Sequence, residues 1–132
     1  MKFLLDTHYL IWSIADSSKI SKRIKDIIVE PDHRIFVSTI SFWEISLKCS
    51  IGKLDITGFL PEDIPNLCTR MGFEIETLSA HDSSSYHHLT INYHKDPFDR
   101  MLIWQAISNN YTLISDDADI KKYVSSGLKL MR

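Results

Sequence analysis

Short apolar runs alternate along this chain with longer segments whose apolar residues recur at helical spacing. Phe3-Leu4-Leu5 stops abruptly at Asp6-Thr7-His8 and reads as a buried strand. Tyr9 to Ile14 is helical in character, and Asp16-Ser17-Ser18 breaks it. Ile20, Ile24, Ile27 and Ile28 then mark an amphipathic helix, with Lys22, Arg23 and Lys25 on its other face and Pro31-Asp32 as its stop. Arg34-Ile35-Phe36-Val37-Ser38 has the length and β-branched content of a second buried strand. The helix after it is predicted to open on a capping box, Ser41-Phe42-Trp43-Glu44, and to run through Ile45, Leu47 and Ile51 to Gly52.

Asp55 to Leu60 reads as a connection, and Pro61-Glu62-Asp63 as the start of a helix carrying Ile64, Leu67 and Met71 up to Gly72. Phe73 to Leu78 alternates with period two, as an edge strand with one wet face does. A polar helix is expected from Ser79 to Leu89, with His81, His87 and His88 on the surface. Next, Asp96 fits an N-cap and Pro97 the first helical position of a helix reaching about Asn110, which puts Asp99 in the first turn. A strand from Tyr111 to Ile114, an acidic turn Ser115-Asp116-Asp117, a short helix through Ile120 to Val124 and a last strand Leu128 to Met131 complete the pattern.

Strands that alternate with helices pair in parallel through right-handed crossovers, so the expected fold is α/β, a parallel sheet flanked by helices on both faces. At 132 residues the chain is expected to form a single domain, residues 1–132, with 44% apolar and 24% charged residues as in ordinary globular proteins. No apolar run approaches the ~18 residues of a membrane span. The expectation is a cytoplasmic protein. Cys49 and Cys68 have neither metal-site nor disulfide-framework spacing and read as buried thiols. A net charge of −2 gives no global basic field. Nucleic-acid contact would therefore be local, through Lys48, Lys53, Lys95, Arg100, Lys121 and Lys122.

Parallel strands all point one way, and residues just past their carboxyl ends line a shared crevice. Asp6 directly follows the first strand, Glu44 is expected in the first turn of the helix after the second, Asp99 opens a later helix, and Asp116-Asp117 follow the strand after that. Each has an ordinary structural reading. Asp6 caps a helix; Glu44 partners Ser41, or Lys48 at i,i+4; Asp99 complements a helix dipole; Asp117 serves a turn. Together they repel. Two carboxylates about 5 Å apart cost roughly 3 kcal/mol at an effective dielectric near 20, and four acids form several such pairs. Hard divalent cations, Mg²⁺ or Mn²⁺, prefer carboxylate and water oxygens and would relieve that repulsion.

These blocks resemble those of PIN-domain ribonucleases of the VapC type, the toxin half of type II toxin–antitoxin pairs. Leu4-Leu5-Asp6-Thr7-His8 resembles the group's opening, and Phe42-Trp43-Glu44-Ile45 with Lys48 and Gly52-Lys53-Leu54 its second block. His94-x-Asp96-Pro97-Phe98-Asp99-Arg100 with Leu102-Ile103 and Gln105-Ala106 resembles the third, and Leu113-Ile114-Ser115-Asp116-Asp117 the fourth. The resemblance implies a PIN-like α/β/α sandwich and metal-dependent hydrolysis of RNA phosphodiester bonds. It also implies an antitoxin protein as partner and, commonly, a homodimer; the lack of a long apolar run separately gives the expectation of no membrane association. The metal-binding acids carry over to Asp6, Glu44, Asp99 and Asp117, with Asp96 and Asp116 as less favoured ligands. Ser115-x-Asp117 stands where the family usually has Thr-x-Asp, and the extra acid Asp116 leaves the choice between the two aspartates open. Thr7 and Ser115 would orient carboxylates or meet substrate, and Arg100 and Lys48 would grip flanking phosphates, with an i,i+4 ion pair as the alternative for Lys48.

Two other classes share some of these features. A receiver-type phospho-acceptor domain wants paired acids after its first strand and a lysine ending its last. Here Asp6 is followed by Thr7-His8, and Lys129 sits inside its strand. A non-catalytic interaction module on the same fold has no need of the acids that are present.

Overall fold

The computed structural model describes residues 1–132. Five strands, β1 (Lys2–Leu5), β2 (Arg34–Ser38), β3 (Glu74–Glu76), β4 (Thr112–Ile114) and β5 (Lys129–Met131), form one sheet in the order β3-β2-β1-β4-β5. All four pairings are parallel, as the alternation of elements predicts. Leu4 in the central strand stands opposite Phe36 on one side and Leu113 on the other. The chain builds outward from β1 to β3 and then returns across β1 to β4. The strand order therefore reverses between β1 and β4, and the crevice outside their carboxyl ends is where such sheets place ligands.

Seven α-helices cover the sheet: α1 (Thr7–Ala15), α2 (Lys22–Val29), α3 (Thr39–Ser50), α4 (Ile64–Arg70), α5 (Ala80–Ser85), α6 (Pro97–Asn109) and α7 (Ala118–Lys121). Two apolar cores result, one per face, because strand side chains alternate. Phe3, Leu5, Ile35, Val37 and Ile114 pack with Leu10, Ile24, Ile45, Ile64 and Cys68. Leu4, Phe36 and Leu113 face the other way, onto Leu102, Ile103 and Ala106 of α6 and onto Ile120 and Tyr123. Leu4 is fully buried, a contribution of about 1.5–3 kcal/mol from that side chain alone. Both cysteines are free thiols, and burial pushes Cys68 up to about 11.

Three expectations are corrected. The capping box at Ser41 does not form: β2 runs straight into α3, whose N-cap is Ser38, with the Ser38 hydroxyl accepting from the Ile40 amide at 3.0 Å. Ser41 and Glu44 are thereby freed for contacts across the crevice. The polar helix expected over 79–89 is only α5 followed by a 3₁₀ turn, Tyr86–His88; Asp82 is buried and accepts from Ser108 and Asn109. In the edge strand β3 the apolar Ile75 is exposed. Its flanking glutamates hold partners, Glu74 an ion pair with Arg34 at 2.7 Å and Glu76 the Tyr111 hydroxyl. His81, His87 and His88 are exposed, as expected.

The connection from the Tyr86–His88 turn to α6 is tied down by one side chain. Arg100 donates to Tyr86 Oη at 2.6 Å, Leu89 O at 2.8 Å, Ile91 O at 2.9 Å and Tyr123 Oη at 2.8 Å. Its planar fork reaches all four from one buried position, which a lysine cannot do. Arg100→Met should lower the unfolding free energy by about 3 kcal/mol or more, measured by urea denaturation, because it strands the buried Leu89 carbonyl and the buried Tyr123 hydroxyl and frees the Ile91 carbonyl. Arg100→Lys should recover little of it. Wild-type stability in Arg100→Met would show the guanidinium to be dispensable to the fold.

Candidate active site

Asp6 lies where β1 ends. Its backbone N–H still bonds Ile114 O at 3.1 Å, while its Oδ1 accepts from the Tyr9 amide at 2.9 Å and caps α1. The side chain is almost fully buried, and burial holds its carboxyl above the usual range, against the Ser115 hydroxyl and the Tyr9 amide, which pull it down. The capping reading and the site reading of Asp6 are thus compatible, since a cap uses one oxygen and leaves the other.

Glu44, one and a half turns into α3, is buried and fully engaged. Thr7 donates to its Oε1 at 2.7 Å, and Lys48 pairs with its Oε2 one turn on. Ser41 shares the Thr7 hydroxyl at 2.9 Å. Lys48 is therefore an ion-pair partner, its pKa raised chiefly by that contact, and the i,i+4 alternative describes it. Sequence patterning missed the role of Ser41, because a contact between hydroxyls 34 residues apart leaves no local signal.

Asp99 sits in the first turn of α6, two residues past the first helical position, with one-fifth of its side chain exposed. Its carboxyl is pushed up to about 7, first by burial and then by Asp96, Glu44, Asp117 and Asp6. All four acids named from the sequence therefore share one electrostatic neighbourhood. Asp96 acts as the expected cap, its Oδ1 accepting from the Phe98 and Asp99 amides. Asp117 is half-buried and caps α7 through Asp119 N at 2.8 Å, while its own amide donates to the buried Ser115 hydroxyl at 3.2 Å. Asp116 is exposed.

A hollow of about 250 Å³ opens past the carboxyl ends of β1 and β4, lined by Asp6, His8, Tyr9, Trp12, Asp116 and Asp117. Burial and the neighbouring Asp116 hold the Tyr9 hydroxyl above its ordinary range. Glu44 and Asp99 lie outside this hollow, and no three His, Cys, Asp or Glu side chains stand together in an arrangement ready to hold a metal ion. Of the remaining sequence candidates, Thr7 is buried and donates to Glu44, and Ser115 is buried beside Asp6. Arg100 has its donors spent inside the fold, which removes it as a phosphate grip.

The PIN domain family matches residues 3–125, and the chain belongs to that family. No curated protein sequence matches it. Among solved structures it is similar to VapBC2 from Rickettsia felis bound to a DNA fragment from their promoter, with a TM-score of 0.73 and 18% identity over 99% of this chain and 98% of that one. It is also similar to VapBC-1 from nontypeable Haemophilus influenzae, TM-score 0.69 and 18% identity over 99% and 97%. A third is DNA-bound VapBC from Salmonella typhimurium, TM-score 0.66 and 15% identity over 99% and 97%. These likenesses are of fold.

Folded Asp99 keeps its proton up to about 7, whereas the unfolded chain loses it near 3.8. The folded state binds more protons between those values, so metal-free stability should fall as pH rises through that window. Asp99→Asn should flatten the dependence and raise the metal-free Tm at about pH 8 by about 5 °C or more, while abolishing the stabilisation by Mn²⁺ that the wild type is expected to show. An unchanged Mn²⁺ response in the mutant would remove Asp99 from the ligand set.

Proposed function

We propose that this PIN-domain chain is a metal-dependent endoribonuclease acting as the toxin of a toxin–antitoxin pair. The observation that carries the reading is Asp99, a largely buried carboxyl among four other acids, with the nearby Lys48 already spent on Glu44. A site built for structure alone would place a cation against Asp99 or replace it with a neutral residue.

The donor set fits a hard divalent cation, since every candidate ligand atom is a carboxylate oxygen. The absence of a ready three-acid cluster also fits, because Mg²⁺ keeps several waters and takes only one or two carboxylates directly. Asp6 and Asp99 would hold the ion, with Glu44 and Asp117 holding its waters. A bound Mg²⁺ or Mn²⁺ supplies an acidified water and neutralises charge on the phosphodiester. The chain's own residues do the rest. Tyr9 N–H and Ser115 fix Asp6, Thr7 and Lys48 fix Glu44, and Asp119 N–H fixes Asp117. With Arg100 internal, flanking phosphates of RNA would meet the exposed Lys53, Lys95, Lys121 and Lys122.

The VapBC neighbours are toxin–antitoxin complexes, which supports a cognate antitoxin protein as partner; a homodimeric toxin is part of the proposal. No helix is long and apolar enough to cross a membrane, consistent with action in the cytoplasm. A non-catalytic interaction module on this fold is the reading that the following tests would favour if they fail.

Ligand geometry, as opposed to charge, should decide activity at Asp6. Asp6→Glu and Asp6→Asn are each expected to lose at least about 100-fold in single-turnover cleavage of single-stranded RNA at fixed Mn²⁺, about 2.7 kcal/mol of transition-state stabilisation. Circular dichroism checks folding. A folded Asp6→Asn protein that cleaves like wild type would sink the nuclease reading.

At the ambiguous turn, Asp117→Asn keeps the helix cap, since asparagine caps as well as aspartate. It should still reduce cleavage by about tenfold or more, with Asp116→Asn within about threefold of wild type. The reverse ranking would move the fourth ligand to Asp116.

A further inference from the structure

The segment leading into α6 carries one buried polar atom that the fold leaves unexplained. His94 Nε2 is buried with no hydrogen-bond partner, and it stands 3.6 Å from Asp99 Oδ2. That is beyond a formed hydrogen bond, and a movement of about 0.6 Å would close it. The other ring nitrogen, Nδ1, lies 3.2 Å from the Tyr123 hydroxyl.

That hydroxyl is already crowded. Arg100 Nη1 donates to it at 2.8 Å, and the Tyr93 backbone N–H donates at 3.2 Å. A phenol oxygen has two lone pairs and one hydrogen. Neither a guanidinium nor a backbone N–H can accept, so both lone pairs are occupied and the hydrogen is left to His94 Nδ1. Nδ1 must therefore be the acceptor. In the neutral ring this puts the hydrogen on Nε2, the nitrogen that faces Asp99.

We propose that His94 is a positioning residue for Asp99, with its tautomer imposed by Tyr123 and Arg100 so that an Nε2–H is offered to the carboxylate. The parts that impose it cannot easily rearrange: Tyr123 is fully buried, and Arg100 is anchored on Leu89 O and Ile91 O. Holding Oδ2 leaves Oδ1 as the oxygen free to serve the acid cluster. Groups that orient a ligand in this way set its direction as well as its basicity, and losing one typically weakens metal binding 10–100-fold. The role rests on the proposal that Asp99 is a cation ligand, whereas the tautomer follows from the hydrogen bonds alone.

The two parts are tested separately. Histidine-selective ¹⁵N spectra of the metal-free protein at about pH 8, where an ordinary imidazole is neutral, report which nitrogen carries the hydrogen. His94→Gln identifies the His94 signals. The expected result is protonation at Nε2 in wild type and loss of that preference in Tyr123→Phe. Protonation at Nδ1, or an unchanged preference in Tyr123→Phe, overturns the inference. Calorimetric Mn²⁺ affinity then tests the role: His94→Leu should bind about tenfold more weakly or worse, and His94→Gln, which returns an N–H at similar reach, should stay within about threefold of wild type. Wild-type affinity in His94→Leu, or equal loss in both variants, overturns the positioning role. A wrong tautomer with Mn²⁺ binding intact defeats this inference alone, and absence of Mn²⁺ binding by the wild type defeats the nuclease reading with it.

Discussion

The structure depends on a cost that it does not meet internally, the burial of carboxylates at one edge of a parallel sheet. Asp6 and Glu44 are almost fully buried and Asp99 largely so. Glu44 alone has a cation partner, in Lys48. Burial raises the Asp6 and Asp99 carboxyls, and the neighbouring acids raise Asp99 further. Such a group stays neutral or waits for a cation, and in either case the metal-free fold gives up stability to keep it. The parallel topology is what allows this concentration, because every strand delivers its next residue to the same edge.

The hydroxyls and helix ends around the acids make sense as a scaffold for them. Thr7 holds Glu44, Ser115 sits beside Asp6, and the caps of α1 and α7 are themselves acids of the candidate site. A capping aspartate is fixed by backbone amides, so its free oxygen is aimed with little loss of side-chain freedom on binding. On the proposed reading, local helix chemistry and ligand placement are the same contacts, and the ordinary readings of these residues do not compete with the functional ones.

Much of this was legible in the sequence because the signals are local. β2 was visible at its observed bounds, and the Asp96-Pro97 start of α6 follows from capping rules. The acids could be placed on one edge as soon as the strands were known to be parallel. What was not legible depended on distant partners. Ser41-x-x-Glu44 has the spacing of a capping box, but Ser38 holds that position and frees both residues to meet Thr7. Arg100 next to Asp99 reads as a phosphate grip until Tyr86 and Tyr123 are found to close around it. Ile75 alternates with glutamates as a buried residue would, yet Arg34 and Tyr111 claim the glutamates and leave it outside.

The central claim is that these carboxylates are arranged for a divalent cation. Titration of the wild-type chain with Mn²⁺, followed by calorimetry at about pH 6.5 in two buffers of different ionisation enthalpy, tests it most directly. With Asp99 pushed up to about 7, the ion must displace a proton, so binding should be accompanied by proton release. Absence of binding, or binding with no proton released, would contradict the account.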